Sequence, residues 1–348
     1  NQQITDLHTQ INTSNLGLEI ENLEAAPPTR QIATKEPHSL PTRKKWKPLS
    51  WVSEFKHESG GLFANSHYQV EDVKFINHPT HFITIDDASE ARIWNFAGEI
   101  VKEWVCSAGK PTFMSYDWKN ERVAIGDDLG EVRIYNISSQ VSKRFEFSLA
   151  HEISSLGFAP SGDVLAIGNT QELNLIALQD KSNKFENFSN KKIRDGEIES
   201  IAYSPDGSMF AIAFEDGIIE LVGKGTLLAK TKFSNGPSMV FDSNSNFLFI
   251  SDLTGKITVL TVPDFSQAIS FSTVAISEMC SIAISPDNEI LATGTEEGQI
   301  YLWSTGDGKL LEKINTHSDA VYGLDFHPNG KHLISASYDG RAILWEIE

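Results

Sequence analysis

Cysteine is nearly absent: only Cys106 and Cys280 occur in 348 residues. Two thiols cannot make a disulfide framework, which excludes the small stapled secreted folds and leads us to expect a reducing compartment. Long apolar runs are missing as well. Stretches such as Phe247-Leu248-Phe249-Ile250 are soon interrupted, far short of the ~18 apolar residues of a membrane span. Positive charge is scarce, with 29 Lys and Arg against 47 Asp and Glu, a net charge of −18. Residues 1–28 hold four acids and no base, and residues 29–47 hold six bases against Glu36 alone. The remaining 23 bases and 42 acids give residues 48–348 a net charge of −19. Such a body repels nucleic acid and anionic lipid and favours basic partners.

Catalytic motifs are also lacking. No phosphate-binding loop is present, since Gly306-Asp307-Gly308-Lys309 reads as a strand-connecting turn. His151-Glu152 has no second histidine at zinc-helix spacing. Asp242-Ser243-Asn244-Ser245-Asn246 opens like a calcium loop, but Phe247 stands where that loop needs glycine. No G-x-S-x-G elbow occurs. The expectation is a protein that is not an enzyme, with no cofactor and no metal.

What the chain does have is a repeat. Tyr203-Ser204-Pro205-Asp206-Gly207, Ile284-Ser285-Pro286-Asp287-Asn288 and Phe326-His327-Pro328-Asn329-Gly330 are copies of one turn, and Phe158-Ala159-Pro160-Ser161-Gly162 is a weaker one. Seventeen residues after the turn comes a closing position: Trp303 after Pro286, Trp345 after Pro328, Val222 after Pro205, Ala177 after Pro160. The same offset links Asn77 to Trp94, Trp118 to Tyr135 and Ser243 to Leu260. Turn positions thus fall at 77, 118, 160, 205, 243, 286 and 328, a period near 42 repeated seven times. Within a copy, Ser281–Ile284, Ile290–Gly294, Gln299–Trp303 and Lys309–Ile314 alternate in the two-residue period of strands between Gly, Pro and Asp turns.

Four antiparallel strands per unit at this period resemble the WD repeat. The resemblance covers roughly residues 47–348 and implies an all-β, seven-bladed β-propeller. Trp closes only three copies, and the usual following Asp is replaced by Asn95, Ser304 and Glu346. The family's hydrogen-bonded set of His, hydroxyl, Asp and Trp matches fully only in the last copy, as His317, Ser335, Asp339 and Trp345. Copy one offers His67, Thr84, Trp94 and Asp87. These are read as structural, because buried polar groups must satisfy one another inside a blade.

The last copy ends at its third strand. Proteins of this kind lend an N-terminal strand to the last blade, and Leu49–Lys56 has the alternation to pair beside Ala342–Ile347. Residues 1–46 are expected to be a largely disordered tail and linker, with the basic cluster at 43–47 an import signal if the protein is nuclear rather than cytoplasmic.

Propellers of this type bind along the face where loops enter the innermost strands. The register puts Glu71, Thr112, Ser154, Glu199, Pro237, Cys280 and Tyr322 at that rim, one per blade. Asp72, Phe113, Ser155, Ser200, Ser238, Ser281 and Gly323 follow one step further, mostly small as a converging inner wall requires. Glu71, Asp72 and Glu199 with Tyr322 suit a Lys or Arg of a peptide, through charge-assisted hydrogen bonds and a cation–π contact. The function expected is a monomeric, non-catalytic scaffold that binds a basic protein or peptide, with no direct contact to nucleic acid or membrane. Two alternatives stay open. One is the C-terminal sensor of a larger signalling protein, resembling propellers attached to bacterial NTPase, protease or kinase domains. The other is a eukaryotic chromatin or assembly scaffold.

Overall fold

Every turn marked by the repeat reverses the chain between two strands of one sheet. A computed structural model describes residues 50–56, 68–137, 142–178, 186–191, 197–233, 238–272 and 278–347. Their strands form seven four-stranded antiparallel sheets. The innermost strands are β2 (Val70–Phe75), β6 (Pro111–Asp117), β10 (Ile153–Phe158), β14 (Ile198–Tyr203), β18 (Ser238–Phe241), β22 (Met279–Ile284) and β26 (Val321–Phe326). Blades three to five, which lack the closing aromatic, fold like the rest.

In four of the seven turns, at Asp117, Ser204, Asp242 and Ser285, the residue before the turn position holds the turn with its side-chain oxygen. Asp242 Oδ1 accepts the amides of Asn246 and Phe247, both at 2.7 Å, and Ser285 Oγ accepts that of Ile290 at 2.9 Å. Short oxygen-bearing side chains satisfy turn amides that no ladder reaches. On the opposite face, the hairpin between second and third strands is held the same way. Asp86 Oδ1 accepts from Ala88 and Glu90, and Asp127 Oδ1 from Leu129 and Glu131.

The ring closes as the sequence suggests. β1 (Ser50–Lys56) pairs antiparallel with β28 (Arg341–Glu346), matching Ser50 to Glu346 and Lys56 to Arg341. The strand from the start of the chain thus covers an edge that would otherwise stay open. Residues 1–49, including the basic cluster, lie outside the described residues, as do His67 and Pro237.

Blades pack face to face through apolar clusters shared by neighbours. Val70, Val73, Phe75, Phe82 and Trp94 of the first blade join Ile334, Ala336, Ala342 and Leu344 of the last. Glycine at one repeat position admits the next blade. A Cβ on Gly168 would lie 2.6 Å from Ile198 Cγ2, and one on Gly126 2.5 Å from Ile153 Cγ2. Ile153 and Ile198, at the start of their inner strands, therefore bed against the second strand of the blade before. The closing tryptophans are held from within: the indole of Trp94 donates to Thr84 Oγ1 at 2.9 Å, that of Trp303 to Thr293 Oγ1 at 3.1 Å, and that of Trp345 to Ser335 Oγ at 3.0 Å.

Candidate functional site

The residues expected at the rim share a backbone feature that the repeat register did not reveal. In six blades the pairing of the innermost strand slips by one residue, between Val70 and Asp72, Pro111 and Phe113, Ile153 and Ser155, Ile198 and Ser200, Met279 and Ser281, and Val321 and Gly323. The residue left over is Glu71, Thr112, Ser154, Glu199, Cys280 or Tyr322. Each sits on a β-bulge, a device that re-aims one side chain and recurs beside functional sites. No such slip is found in β18, whose entry at Pro237 lies outside the described residues.

Three bulge residues come together. Glu71 is 6% exposed, and its Oε2 accepts the Tyr338 hydroxyl at 3.0 Å. Its Oε1 lies 2.9 Å from Lys110 Nζ, and that ammonium stands 5.2 Å from the centre of the Tyr338 ring. Tyr338 stacks on Tyr322 with centroids 4.4 Å apart and planes 30° apart. Cys280 then meets the Tyr322 hydroxyl. The chain of contacts crosses the sixth, seventh, first and second blades.

The electrostatics follow from burial among acids. Burial pushes the Glu71 carboxyl up, and Lys110 and Tyr338 pull it partly back. Burial, aided by the charge of Glu296, raises the Cys280 thiol to about 11. Burial, with Cys280 and Glu296, takes Tyr322 to about 12. Across the ring, burial beside Glu215 and Glu152 raises Glu197. These acids are held together by the backbone. Glu215 N donates to Glu197 O at 2.9 Å and Glu296 N to Glu278 O at 3.0 Å, so each hairpin turn lies beside the loop entering the inner strand of its own blade. Among the described residues of those loops and turns, Lys110 is the one lysine or arginine, whereas acids recur at Asp87, Asp128, Glu152, Glu215, Glu296 and Asp319.

The other candidates stay apart. Thr112 Oγ1 donates to Ile153 O at 2.7 Å and so joins the second blade to the third. Ser154 Oγ is buried with no hydrogen-bond partner among the described residues. Glu199 is half-buried in the fourth blade. Asp72 points along the inner wall, with Oδ1 accepting from Val73 N at 2.7 Å and Lys74 Nζ at 2.9 Å. One step beyond the bulge, small residues tie neighbouring blades. Ser281 Oγ donates to Val321 O at 2.7 Å, Ser238 Oγ donates to Cys280 O at 3.1 Å, and Ser155 Oγ accepts Ile201 N at 2.9 Å. Phe113 departs from that pattern and is 37% exposed.

In the last blade, Nε2 of the His317 ring lies 2.8 Å from Ser335 Oγ and Nδ1 lies 2.9 Å from Asp339 Oδ2. Burial alone would raise Asp339, but hydrogen bonds from His317 and Arg341 hold its carboxyl well below the usual carboxylate range. Ser335 also receives the Trp345 indole, so its oxygen is enclosed by fixed partners rather than presented to a substrate. In the first blade, Asp87 instead accepts Gln69 N at 2.9 Å. Among the described residues no group of three or more His, Cys, Asp or Glu is placed to hold a metal, and no helix is long and apolar enough to cross a membrane.

The repeat register carried no mark of Lys110 or Tyr338. Tyr338 had one available signal: it is aromatic at a turn position occupied by Asp87, Asp128, Glu215 and Glu296 in other blades.

Comparison with known proteins agrees with this architecture. Residues 273–304 and 308–346 match the family described as "WD domain, G-beta repeat". Residues 156–245 match "Anaphase-promoting complex subunit 4 WD40 domain". A periodic tryptophan protein 2 homolog of Dictyostelium discoideum is 24% identical over 237 residues, covering 66% of this chain and 25% of the relative. WD repeat-containing protein 1 of Bos taurus is 25% identical over 238 residues, covering 57% of this chain and 34% of the relative. The chain therefore matches only a quarter to a third of the length of these relatives. Among solved structures, the Cps50 (Swd1) β-propeller domain of Myceliophteria thermophila superposes with a TM-score of 0.73 at 14% identity, covering 86% of this chain and 100% of that one. The chain is a seven-bladed β-propeller whose repeats at 156–245, 273–304 and 308–346 match models of the WD repeat.

Proposed function

We propose that this propeller is a non-catalytic protein-interaction scaffold that receives a basic segment of a partner on the face where loops enter the innermost strands. The observation carrying this reading is the convergence of Glu71, Tyr338, Tyr322 and Cys280 on a face whose charged residues, in the described loops and turns, are acids apart from Lys110. In six blades a bulge takes one residue at the entry of the innermost strand out of the ladder. Rings and carboxylates side by side suit a cation that brings both charge and a planar or alkyl body. Like charges crowded together, as at Glu152, Glu197 and Glu215, raise the free energy of the empty face, and an incoming cation relieves it. Relatives that share the repeat and carry WD-repeat names are consistent with an interaction role for the fold.

The test is affinity capture with the tagged chain and with a Glu71→Ala/Glu199→Ala/Tyr322→Ala variant of the same melting temperature, followed by mass spectrometry. Partners lost only from the variant, and carrying basic segments that bind as synthetic peptides, support the reading. Partners retained equally by both forms move the interaction to another surface and contradict it.

A further inference from the structure

The ion pair between Glu71 and Lys110 places a cation where the face is best equipped to read one. We infer that the Glu71–Tyr338–Tyr322 pocket is a cation-reading site which Lys110 fills in the free protein, and that an arginine of the partner enters by displacing it. This rests on the reading of the acidic face as a docking surface, and it names the residue type read there.

Glu71 is nearly inaccessible, so its carboxylate needs a cation at hand whether or not a partner is bound. Lys110 supplies one from another blade, on a side chain that is still 38% exposed. Its backbone stays fixed, since Lys110 N donates to Asp128 Oδ1 at 2.9 Å and Lys110 O accepts Asp128 N at 3.0 Å. Only the alkyl stem has to swing for the ammonium to leave. No packed core opens, because Lys110 belongs to a surface loop and Tyr322 beside the site is 40% exposed.

Arginine fits the vacated place better than lysine does. A guanidinium is planar, stacks on tyrosine faces and bonds a carboxylate at two points, whereas an ammonium is a strongly hydrated point charge. Glu296 and Asp87 supply further negative potential on either side of the pocket. The displaced Lys110 keeps a neighbour of opposite charge in Asp128, whose carboxylate already accepts its backbone amide.

A purely structural ion pair joining the first and second blades makes opposite predictions, so one experiment separates the two. The probes are a fluorescein-labelled nonapeptide alternating arginine and glycine and its citrulline counterpart, titrated by fluorescence polarisation. They are applied to the wild-type chain, to Lys110→Met, to Lys110→Met combined with Glu71→Gln or with Tyr322→Ala, and to Glu215→Gln/Glu296→Gln. Melting temperatures are read for every form. We expect Lys110→Met to bind the arginine peptide about tenfold more tightly, equal to about 1.4 kcal/mol. Adding Glu71→Gln or Tyr322→Ala should erase the gain, and the citrulline peptide should show none. A lower melting temperature for Lys110→Met with unchanged affinity overturns the inference. If Glu215→Gln/Glu296→Gln weakens binding in that case, the acidic docking face stands without the Lys110 plug. Absence of binding to every form overturns the inference and the docking face together.

Discussion

Asp325 Oδ2 accepts the Phe75 amide at 2.7 Å, joining the innermost strands of the last and first blades. Lys74 lies beside this bond and pairs with Asp72 at 2.9 Å, so one base and two acids meet on the inner wall at the closure. Burial pushes the Asp325 carboxyl up to about 6, against the pull of Lys74. A carboxyl with a higher pKa folded than unfolded binds more protons in the native state between about pH 4 and pH 6. Its contribution to stability is therefore full below about pH 4, falls as pH rises through that window, and is constant above it. Asp325→Asn keeps an acceptor for Phe75 N and removes the titration. Urea unfolding at pH 4, 5, 6 and 7 should show the variant gaining on wild type by about 2 kcal/mol across the window. Parallel stability curves would show that Asp325 does not titrate there.

Closure itself is tested by removing the strand that completes the last blade. Deleting residues 47–58 takes away β1 and leaves the β28 ladder open along Arg341–Glu346. Calorimetry should show loss of the single cooperative transition, together with aggregation through the bared edge. An unchanged melt would contradict the pairing.

Contact between blades leaves no room at Gly168. A methyl there meets Ile198 Cγ2 at 2.6 Å and Ile201 Cδ1 at 3.3 Å, both in the next blade. Gly168→Ala should cost about 1–3 kcal/mol, the usual penalty for overpacking. The companion change Ile198→Ala, which removes the Cγ2 methyl that the new Cβ meets, should cost less on top of Gly168→Ala than in the wild-type chain. A Gly168→Ala chain as stable as wild type would mean that the blades separate more easily than this packing implies.

The parts legible in the sequence were those that recur from copy to copy at one spacing. Pro205, Pro286 and Pro328 fix turns, and Trp94, Trp303 and Trp345 close blades, so seven copies at one spacing disclosed the fold even where the fourth blade ends its third strand on Val222-Gly223. The place of β1 was legible because the last copy falls one strand short. The rim positions were legible as a register but not as bulges, because a bulge is a property of pairing and leaves the spacing of inward residues nearly intact. The partnership of Glu71 with Tyr338 spans 267 residues, and that of Glu71 with Lys110 depends on how two loops lean together. Repeat arithmetic places each residue in its own blade and says nothing of which side chains cross between blades. The expectation that Glu71 awaits a cation therefore gave no hint that one is already supplied by Lys110.

Hydrogen–deuterium exchange of the wild-type chain, with and without the arginine–glycine nonapeptide at saturating concentration, tests the central claim most directly. The account predicts slower exchange in the loop 106–112 and around 278–281, 318–323 and 337–340, with the turns near 78–81, 205–208 and 286–289 on the opposite face unchanged. Protection at those opposite turns instead, or none on either face, would contradict it.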